Sequence, residues 1–189
     1  MKIGVTGLIG SGKSLVGKTL RGRGFPVLDV DSKVHELYAS CEELRQKISQ
    51  AFGPESLTPE GVNRPLLANL IFSNPAAREQ LEQIVYPYLT ETVTAFLKEP
   101  GPRFVEASFF AKIPEVTALL DELWIVESPE EARLQRLVEH RGLTAEEATR
   151  RIASQRETPF PTGLSTRIIK NEGSREAFVN QILDFCKTL

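Results

Sequence analysis

The sequence predicts an α/β fold in which helices cover both faces of a mainly parallel sheet of five strands. Short apolar runs alternate with longer amphipathic runs along the 189 residues, and a glycine-rich turn joins the first apolar run to the first helical one. Alternating strands and helices are typical of parallel sheets, because a parallel connection needs a crossover that is long enough to hold a helix. Right-handed crossovers then place a ligand at the carboxyl ends of the strands.

Each predicted element follows from a local pattern. Apolar runs bounded by turn residues predict strands at Lys2–Thr6, Pro26–Asp29, Arg103–Ala107, Glu122–Glu127 and Thr166–Lys170. Amphipathic runs predict helices at about Gly12–Arg23, from Lys33 to about Leu97, after Ser128, after Thr144, and over Ser174–Lys187. Helix starts are indicated by Pro65 in a first turn, by Asn74 before Pro75, by Ser128 before Pro129, and by the capping box of Thr144 and Glu147.

The composition is that of a globular protein. Hydrophobic residues make up 41% and charged residues 25% of the chain, and the net charge is −2, which disfavours disorder and a broad surface for nucleic acid. The two histidines, His35 and His140, are too far apart for an HExxH zinc site, and Cys41 and Cys186 are too far apart for a CxxC motif. Without a signal-like or membrane-spanning apolar run, we expect a cytoplasmic protein with neither a nucleic-acid nor a membrane partner.

The segment from Gly7 to Ser14 matches the phosphate-binding pattern G-x-x-x-x-G-K-[ST] at every fixed position, between a strand and a helix. Its glycines let the backbone approach a phosphate closely, and the first amide N–H groups of the helix attract the phosphate oxygens. We expect Lys13 to place its charge on the β- and γ-phosphates and Ser14 to ligate Mg²⁺. The predicted phosphate-binding residues are Gly10, Ser11, Gly12, Lys13, Ser14 and Leu15.

Further motifs narrow the reaction. The chain has no N/T-K-x-D tetrapeptide for guanine and no D-x-x-G switch, so it is not expected to be a GTPase. Asp29 and Asp31 follow the second strand, which we expect to neighbour the first, and carboxylates there can hold magnesium-bound water or accept a proton from a hydroxyl. The alternative is that Asp31 only caps the following helix.

Arginines are concentrated in the segment 133–156, where two predicted helices follow each other closely. Arginine suits the neutralisation of a phosphoryl group in transfer, although glutamates among these residues also allow a solvated helix face. The pair of helices resembles the lid that small-molecule kinases close over ATP. The arginines are Arg133, Arg136, Arg141, Arg150, Arg151 and Arg156.

Taken together, these segments resemble the dephospho-coenzyme A kinase family nearly from end to end. The segment GVTGLIGSGKS matches the family pattern G-x-T-G-x-I-G-S-G-K-S. The segment VLDVD resembles the family pattern h-h-D-A-D. GVNRPLLANLIFSNP resembles G-x-h-x-R-x-x-L-x-x-h-h-F, LEQIVYP resembles L-E-x-h-x-H-P, LTAEEATRRIASQ resembles h-S-x-E-x-A-x-x-R-I-x-x-Q, and IIKNEG resembles V-I-x-N-x-G.

The resemblance implies a P-loop kinase core at about 1–31, 101–136 and 164–189, a helical substrate subdomain at about 32–100, and a helical lid at about 137–163. ATP with Mg²⁺ would phosphorylate the ribose 3′-hydroxyl of dephospho-coenzyme A. Asp31 would accept the hydroxyl proton, Arg141 would stabilise the transferring group with Arg136 as second choice, and Asn171 and Gly173 would lie near the adenine. Asp29, His35, Arg64, Glu106 and His140 would contact substrate, with Asp29 and Glu106 also able to orient magnesium-bound water.

Several positions depart from the family pattern. D-x-P-L-L-x-E becomes Glu106-Ala-Ser-Phe-Phe-Ala-Lys112, H-P becomes Tyr86-Pro87, A-D becomes Ser165-Thr166, and His35 and His140 stand where arginine is usual. Either histidine could face a substrate phosphate and bind in a pH-dependent way, or both could be solvated with Arg141 in the lid role. Two alternatives stay open, a kinase of another small hydroxylated acceptor and a non-catalytic ATP-binding relative; a nucleic-acid-dependent ATPase is disfavoured by the net charge.

Overall fold

A five-stranded sheet forms the centre of the fold, and every neighbouring pair of its strands is parallel. The computed structural model describes residues 1–108, 110–155 and 159–189. The strands are β1 (Lys2–Gly7), β2 (Val27–Asp29), β3 (Leu57–Thr58), β4 (Gly61–Val62), β5 (Arg103–Glu106), β6 (Glu122–Glu127) and β7 (Ser165–Lys170). The main sheet has the order β2-β5-β1-β6-β7, while β3 and β4 form a separate antiparallel pair. The predicted parallel sheet of five strands is therefore confirmed.

The helices are α1 (Lys13–Gly22), α2 (Val30–Ser40), α3 (Glu42–Phe52), α4 (Arg64–Ser73), α5 (Pro75–Lys98), α6 (Pro114–Thr117), α7 (Glu130–Arg141), α8 (Ala145–Ala153) and α9 (Arg175–Cys186), with 3₁₀ turns at Pro54–Ser56 and Phe110–Lys112. The capping box of Thr144 and Glu147 is present, and Asn74 caps α5 by accepting a hydrogen bond from the amide of Ala77. These helix starts were predictable because a cap is decided by residues within one turn.

Three sequence-based expectations are corrected by the structure. The second strand does not neighbour the first, because β5 lies between them and pairs with both. Ser128 does not cap α7, which begins at Glu130; its hydroxyl donates instead to the carbonyl of Asn171. The stretch between Lys33 and Leu97 is not wholly helical, since it contains the β3–β4 pair.

The core of the sheet explains this strand order. All four residues of β5 are buried, whereas all three residues of β2 are partly exposed, as befits an inner strand and an edge strand. Phe104 of β5 and Trp124 of β6 pack edge to face, with ring centroids 5.2 Å apart, among aliphatic side chains from β1, α1 and α9. Apolar burial from both sides therefore fixes the carboxyl ends of β1, β5 and β6 at one sheet edge.

Contacts divide the chain into two compact units, one of residues 1–29 and 94–189 and one of residues 30–93. The first contains the main sheet. The second contains α2, α3, α4, most of α5 and the β3–β4 pair, with a core that includes Leu44, Ile48 and Leu89. Among the described residues, no helix is both long enough and apolar enough to cross a membrane.

Candidate active site

The loop between β1 and α1 has the backbone conformation that its glycines predict. Gly10 and Gly12 have φ angles of 77° and 111°, values that residues with a side chain rarely adopt. A Cβ at Gly10 would stand 2.9 Å from the carbonyl oxygen of Arg133, and one at Gly12 would stand 2.5 Å from Nδ2 of Asn171. Both glycines are therefore required by backbone conformation and by close contact with neighbouring elements.

The carbonyl groups of this loop accept hydrogen bonds from side chains. Lys13 Nζ donates to the carbonyl oxygens of Gly7 at 2.7 Å and Leu8 at 3.3 Å. The next three carbonyls accept from Arg133 Nη1 (to Ile9, 3.5 Å), Arg136 Nη1 (to Gly10, 3.0 Å) and Asn171 Nδ2 (to Ser11, 2.7 Å). A carbonyl oxygen repels a phosphate. Because the loop carbonyls accept hydrogen bonds from these side chains, they are directed to the protein donors rather than to an anion. The start of α1 is the complementary anion-binding feature: the amides of Leu15 and Val16 donate to the carbonyl of Gly12, and the helix dipole is positive at this end.

Arg136 and Asn171 join the loop to the ends of β6 and β7. Arg136 donates to the carbonyl of Gly10, to the hydroxyl of Ser128 at 2.8 Å and to the carbonyl of Asn171 at 3.2 Å. Burial lowers the pKa of this arginine below its ordinary value. Asn171 is itself anchored, because its backbone N–H donates to the backbone carbonyl of Glu127 at 2.8 Å. In this arrangement both side chains bind the P-loop backbone.

The predicted lid helices also hold the loop. Ile9 at the loop tip packs against Leu137, Ala148 and Ile152 of α7 and α8. Gln155, just beyond α8, accepts a hydrogen bond from the amide of Ile9 at 2.6 Å. The helical pair and the P-loop therefore form a continuous packed surface on one side of the site.

Two carboxylates meet at the carboxyl ends of β2 and β5. Asp29 and Glu106 are register partners on these adjacent strands, and Ser14 Oγ donates to Glu106 Oε1 at 3.4 Å. Glu106 is 5% exposed, and its Oε2 has no hydrogen-bond partner among the residues that the structure describes. Burial, followed by the charge of Asp29, raises the pKa of Glu106, and the charges of Lys13 and Arg21 oppose this rise. The two acids, which end adjacent strands, are thus neighbours, and Glu106 contacts the serine of the P-loop.

Other predicted site residues lie in the unit of residues 30–93. Asp31 and His35 are exposed on α2, with Asp31 in the first turn directly after β2. Arg64 begins α4 and is exposed. Burial raises the pKa of Tyr38 on α2 to about 12, and the charge of Arg64 opposes this rise. Burial and then the charge of Glu82 raise the pKa of Tyr86.

The remaining predicted residues are near the main sheet. His140 and Arg141 occupy the exposed last turn of α7, which Gly142 terminates in the left-handed conformation. Leu15 is in the first turn of α1, and Gly173 is in the exposed loop before α9. Arg156 of the arginine-rich segment and Phe109 of the altered motif lie outside the described residues.

Sequence reasoning missed the supporting roles of Ile9, Gln155 and Arg133. Gln155 ends the matched string R-I-x-x-Q, which was its only signal.

A cleft of about 340 Å³ opens beside the P-loop. Its walls combine apolar groups with one acidic residue that ends β6 and one that follows β7. The lining includes Leu8, Ser11, Glu127, Pro129, Phe160 and Glu172.

Comparisons with known proteins agree with this geometry. The family model described as dephospho-CoA kinase matches residues 1–177. A curated dephospho-CoA kinase of Streptococcus pneumoniae is 37% identical over 186 residues, covering 95% of this chain and 92% of that protein. The solved structure of a dephospho-CoA kinase from Campylobacter jejuni superposes with a TM-score of 0.69 at 25% identity, covering 99% and 96%. A Thermus thermophilus structure gives 0.79 at 28% identity, covering 100% and 97%.

Proposed function

Since the chain belongs to the dephospho-CoA kinase family, we propose the roles that its own residues take in the reaction. The enzyme is a kinase of the P-loop fold that phosphorylates dephospho-coenzyme A with ATP, the last step of coenzyme A biosynthesis. The acceptor is the ribose 3′-hydroxyl, so one alcohol O–P bond forms while the β–γ bridging bond of ATP breaks. In such a transfer, positioning and electrostatics dominate over covalent chemistry.

The phosphates of ATP bind to the amide groups from Gly10 to Leu15. One observation carries this assignment: the three successive carbonyls from Ile9 to Ser11 are held by donors from Arg133, Arg136 and Asn171. Lys13 Nζ, which lies over the carbonyls of Gly7 and Leu8, moves to the β- and γ-phosphates when they arrive. The positive helix start and the lysine together oppose the charge that develops on the phosphoryl oxygens.

Ser14 is the residue that would hold Mg²⁺, with Asp29 and Glu106 orienting its water ligands. The residues fit a hard cation, because, within the described part of the chain, a buried carboxylate oxygen of Glu106 has no hydrogen-bond partner beside the Ser14 hydroxyl. When bound, the cation neutralises charge on the β- and γ-phosphate oxygens.

Asp31 accepts the proton of the 3′-hydroxyl. Its exposed position in the first turn of α2, two residues beyond β2, supports this role. His35 and Arg64 contribute to binding dephospho-coenzyme A, and the charge of Arg64 acts on Tyr38 of α2.

Arg141 stabilises the charge of the transferring group. The structure favours it over Arg136, because Arg136 already donates to three acceptors of the protein. Arg141 is exposed in the last turn of α7, where its side chain can turn towards substrate. His140, also exposed, is the competing candidate for a phosphate contact.

The adenosine of ATP binds in the cleft beside the P-loop, near Asn171 and Gly173. Apolar walls suit a purine ring, and Glu127 and Glu172 offer acceptors for an exocyclic amino group. We place the reaction in the cytoplasm, which suits the free thiols of Cys41 and Cys186, with a small molecule as the partner and without nucleic acid or membrane.

An acceptor panel tests the assignment. Release of ADP is measured with dephospho-coenzyme A and with other hydroxylated acceptors such as shikimate and pantothenate. The account predicts a clear preference for dephospho-coenzyme A; an equal or better rate with another acceptor would contradict it, and ATP binding without turnover would indicate a non-catalytic relative.

A further inference from the structure

Gly17 is a glycine in the middle of a helix, where such a residue needs a reason. Glycine is among the poorest helix formers, and Gly17 lies between Val16 and Lys18 in the ten-residue α1. Its φ angle is not positive, so backbone conformation does not require glycine here. Gly17 is nevertheless buried, which directs attention to the space that a side chain would occupy.

That space belongs to Glu106. A Cβ built on Gly17 would stand 2.6 Å from Glu106 Oε2, well inside van der Waals contact, and 3.4 Å from Nη1 of Arg21. By contrast, a Cβ built on Gly22 at the end of the same helix would meet nothing within 4 Å. The two glycines of α1 therefore differ in their surroundings, because Gly17 is buried against a carboxylate whereas Gly22 is exposed at the end of the helix.

A clash with a methyl group at residue 17 would be relieved by a shift of the flexible Glu106 side chain, and this shift would alter how Ser14 contacts Glu106. Its side chain starts at the end of a buried strand, and its other oxygen, Oε1, accepts from Ser14 Oγ. The charged groups that act on this carboxylate are Asp29, Lys13 and Arg21. An added methyl group at residue 17 would push the carboxylate away from α1 and change its distance to the Ser14 hydroxyl.

We propose that Gly17 is a positioning residue of the kinase: by lacking a side chain, it leaves the space in which Glu106 lies beside Ser14. This inference rests on the proposed roles of Ser14 and Glu106 in phosphoryl transfer. Gly17 does not touch substrate and acts only through Glu106, so the length of the side chain at residue 106 determines whether a methyl group at residue 17 is tolerated.

Kinase activity of wild type, Gly17→Ala, Glu106→Asp, the double variant and Gly22→Ala tests this proposal. Gly17→Ala should lower kcat at least tenfold with the KM for dephospho-coenzyme A within twofold of wild type, while Gly22→Ala stays within twofold throughout. Aspartate is shorter by one methylene, so the double variant should recover at least fivefold in kcat over Gly17→Ala. Calorimetric binding of ATP with Mg²⁺ should weaken in Gly17→Ala and recover in the double variant.

A kcat of Gly17→Ala within twofold of the kcat of Gly22→Ala would overturn the proposal. A double variant whose kcat shows only the product of the two single effects would overturn it as well. If Gly17→Ala fails to fold, recovery of a cooperative unfolding transition in the double variant supports the shared space, and an unfolded double variant contradicts it. Absence of dephospho-coenzyme A phosphorylation by wild type and Gly22→Ala alike would instead refute the proposed function.

Discussion

Asn171→Asp is the substitution that most directly tests how the P-loop is held. Aspartate has nearly the same shape as asparagine, but it replaces the Nδ2 donor by an oxygen. The Nδ2 hydrogen bond to the carbonyl of Ser11 is 2.7 Å long and buried, so the substitution would put two oxygens in contact. Leaving a buried acceptor unsatisfied costs about 2 kcal/mol, and the repulsion adds to this cost.

Because the loss falls on the loop conformation that binds phosphate, about 2 kcal/mol corresponds to about 30-fold weaker ATP binding. We expect the ATP dissociation constant to rise at least that much, with the KM for dephospho-coenzyme A nearly unchanged. ATP binding is measured by titration calorimetry for wild type, Asn171→Asp and Asn180→Asp. Asn180 is exposed on α9 and provides the matched control. If the ATP dissociation constant of Asn171→Asp is within threefold of that of Asn180→Asp, this account of the loop is refuted.

Three other predictions concern the reacting groups. Lys13→Ala should lower kcat by about 10³-fold, because a preorganised transition-state charge is lost; steady-state activity within tenfold of wild type would contradict that role. Asp31→Asn should lower kcat by about 10²-fold and leave the KM for ATP unchanged, because a general base acts in the transition state; the opposite pattern in the same kinetics would make Asp31 a binding group. Arg141→Ala should lower kcat by about 10²-fold while His140→Ala stays near wild type; the reverse, with a dephospho-coenzyme A KM that rises from pH 6 to 8, would assign the phosphate contact to His140.

Local patterns in the sequence were sufficient for the P-loop and for the helix starts at Asn74 and Thr144, although not for the start of α7. The glycines of the loop and the capping box of Thr144 depend on residues within a single turn, and the structure confirms both. The alternation of strands and helices also predicted a parallel sheet of five strands, because each crossover constrains the next strand.

Long-range packing determined what the sequence did not show. The insertion of β5 between β1 and β2 depends on which strand is buried on both faces. The hydrogen bond from the Ile9 amide to Gln155 joins residues 146 positions apart. The Ser128 hydroxyl does not cap α7, because it donates to the carbonyl of Asn171 and accepts from Arg136. From the sequence, Gly17 is an unfavourable residue for the interior of a helix. The structure shows that the carboxylate of Glu106 lies where a side chain at residue 17 would be.

The most direct test of the central claim is the site of phosphorylation on the acceptor. Purified enzyme is incubated with ATP and either dephospho-coenzyme A or its 3′-deoxy analogue, and the products are identified by phosphorus-31 NMR. The account predicts one new phosphomonoester, on the ribose 3′-oxygen, with dephospho-coenzyme A and none with the analogue. A phosphorylated 3′-deoxy product, or no phosphorylation of either acceptor, would contradict the claim.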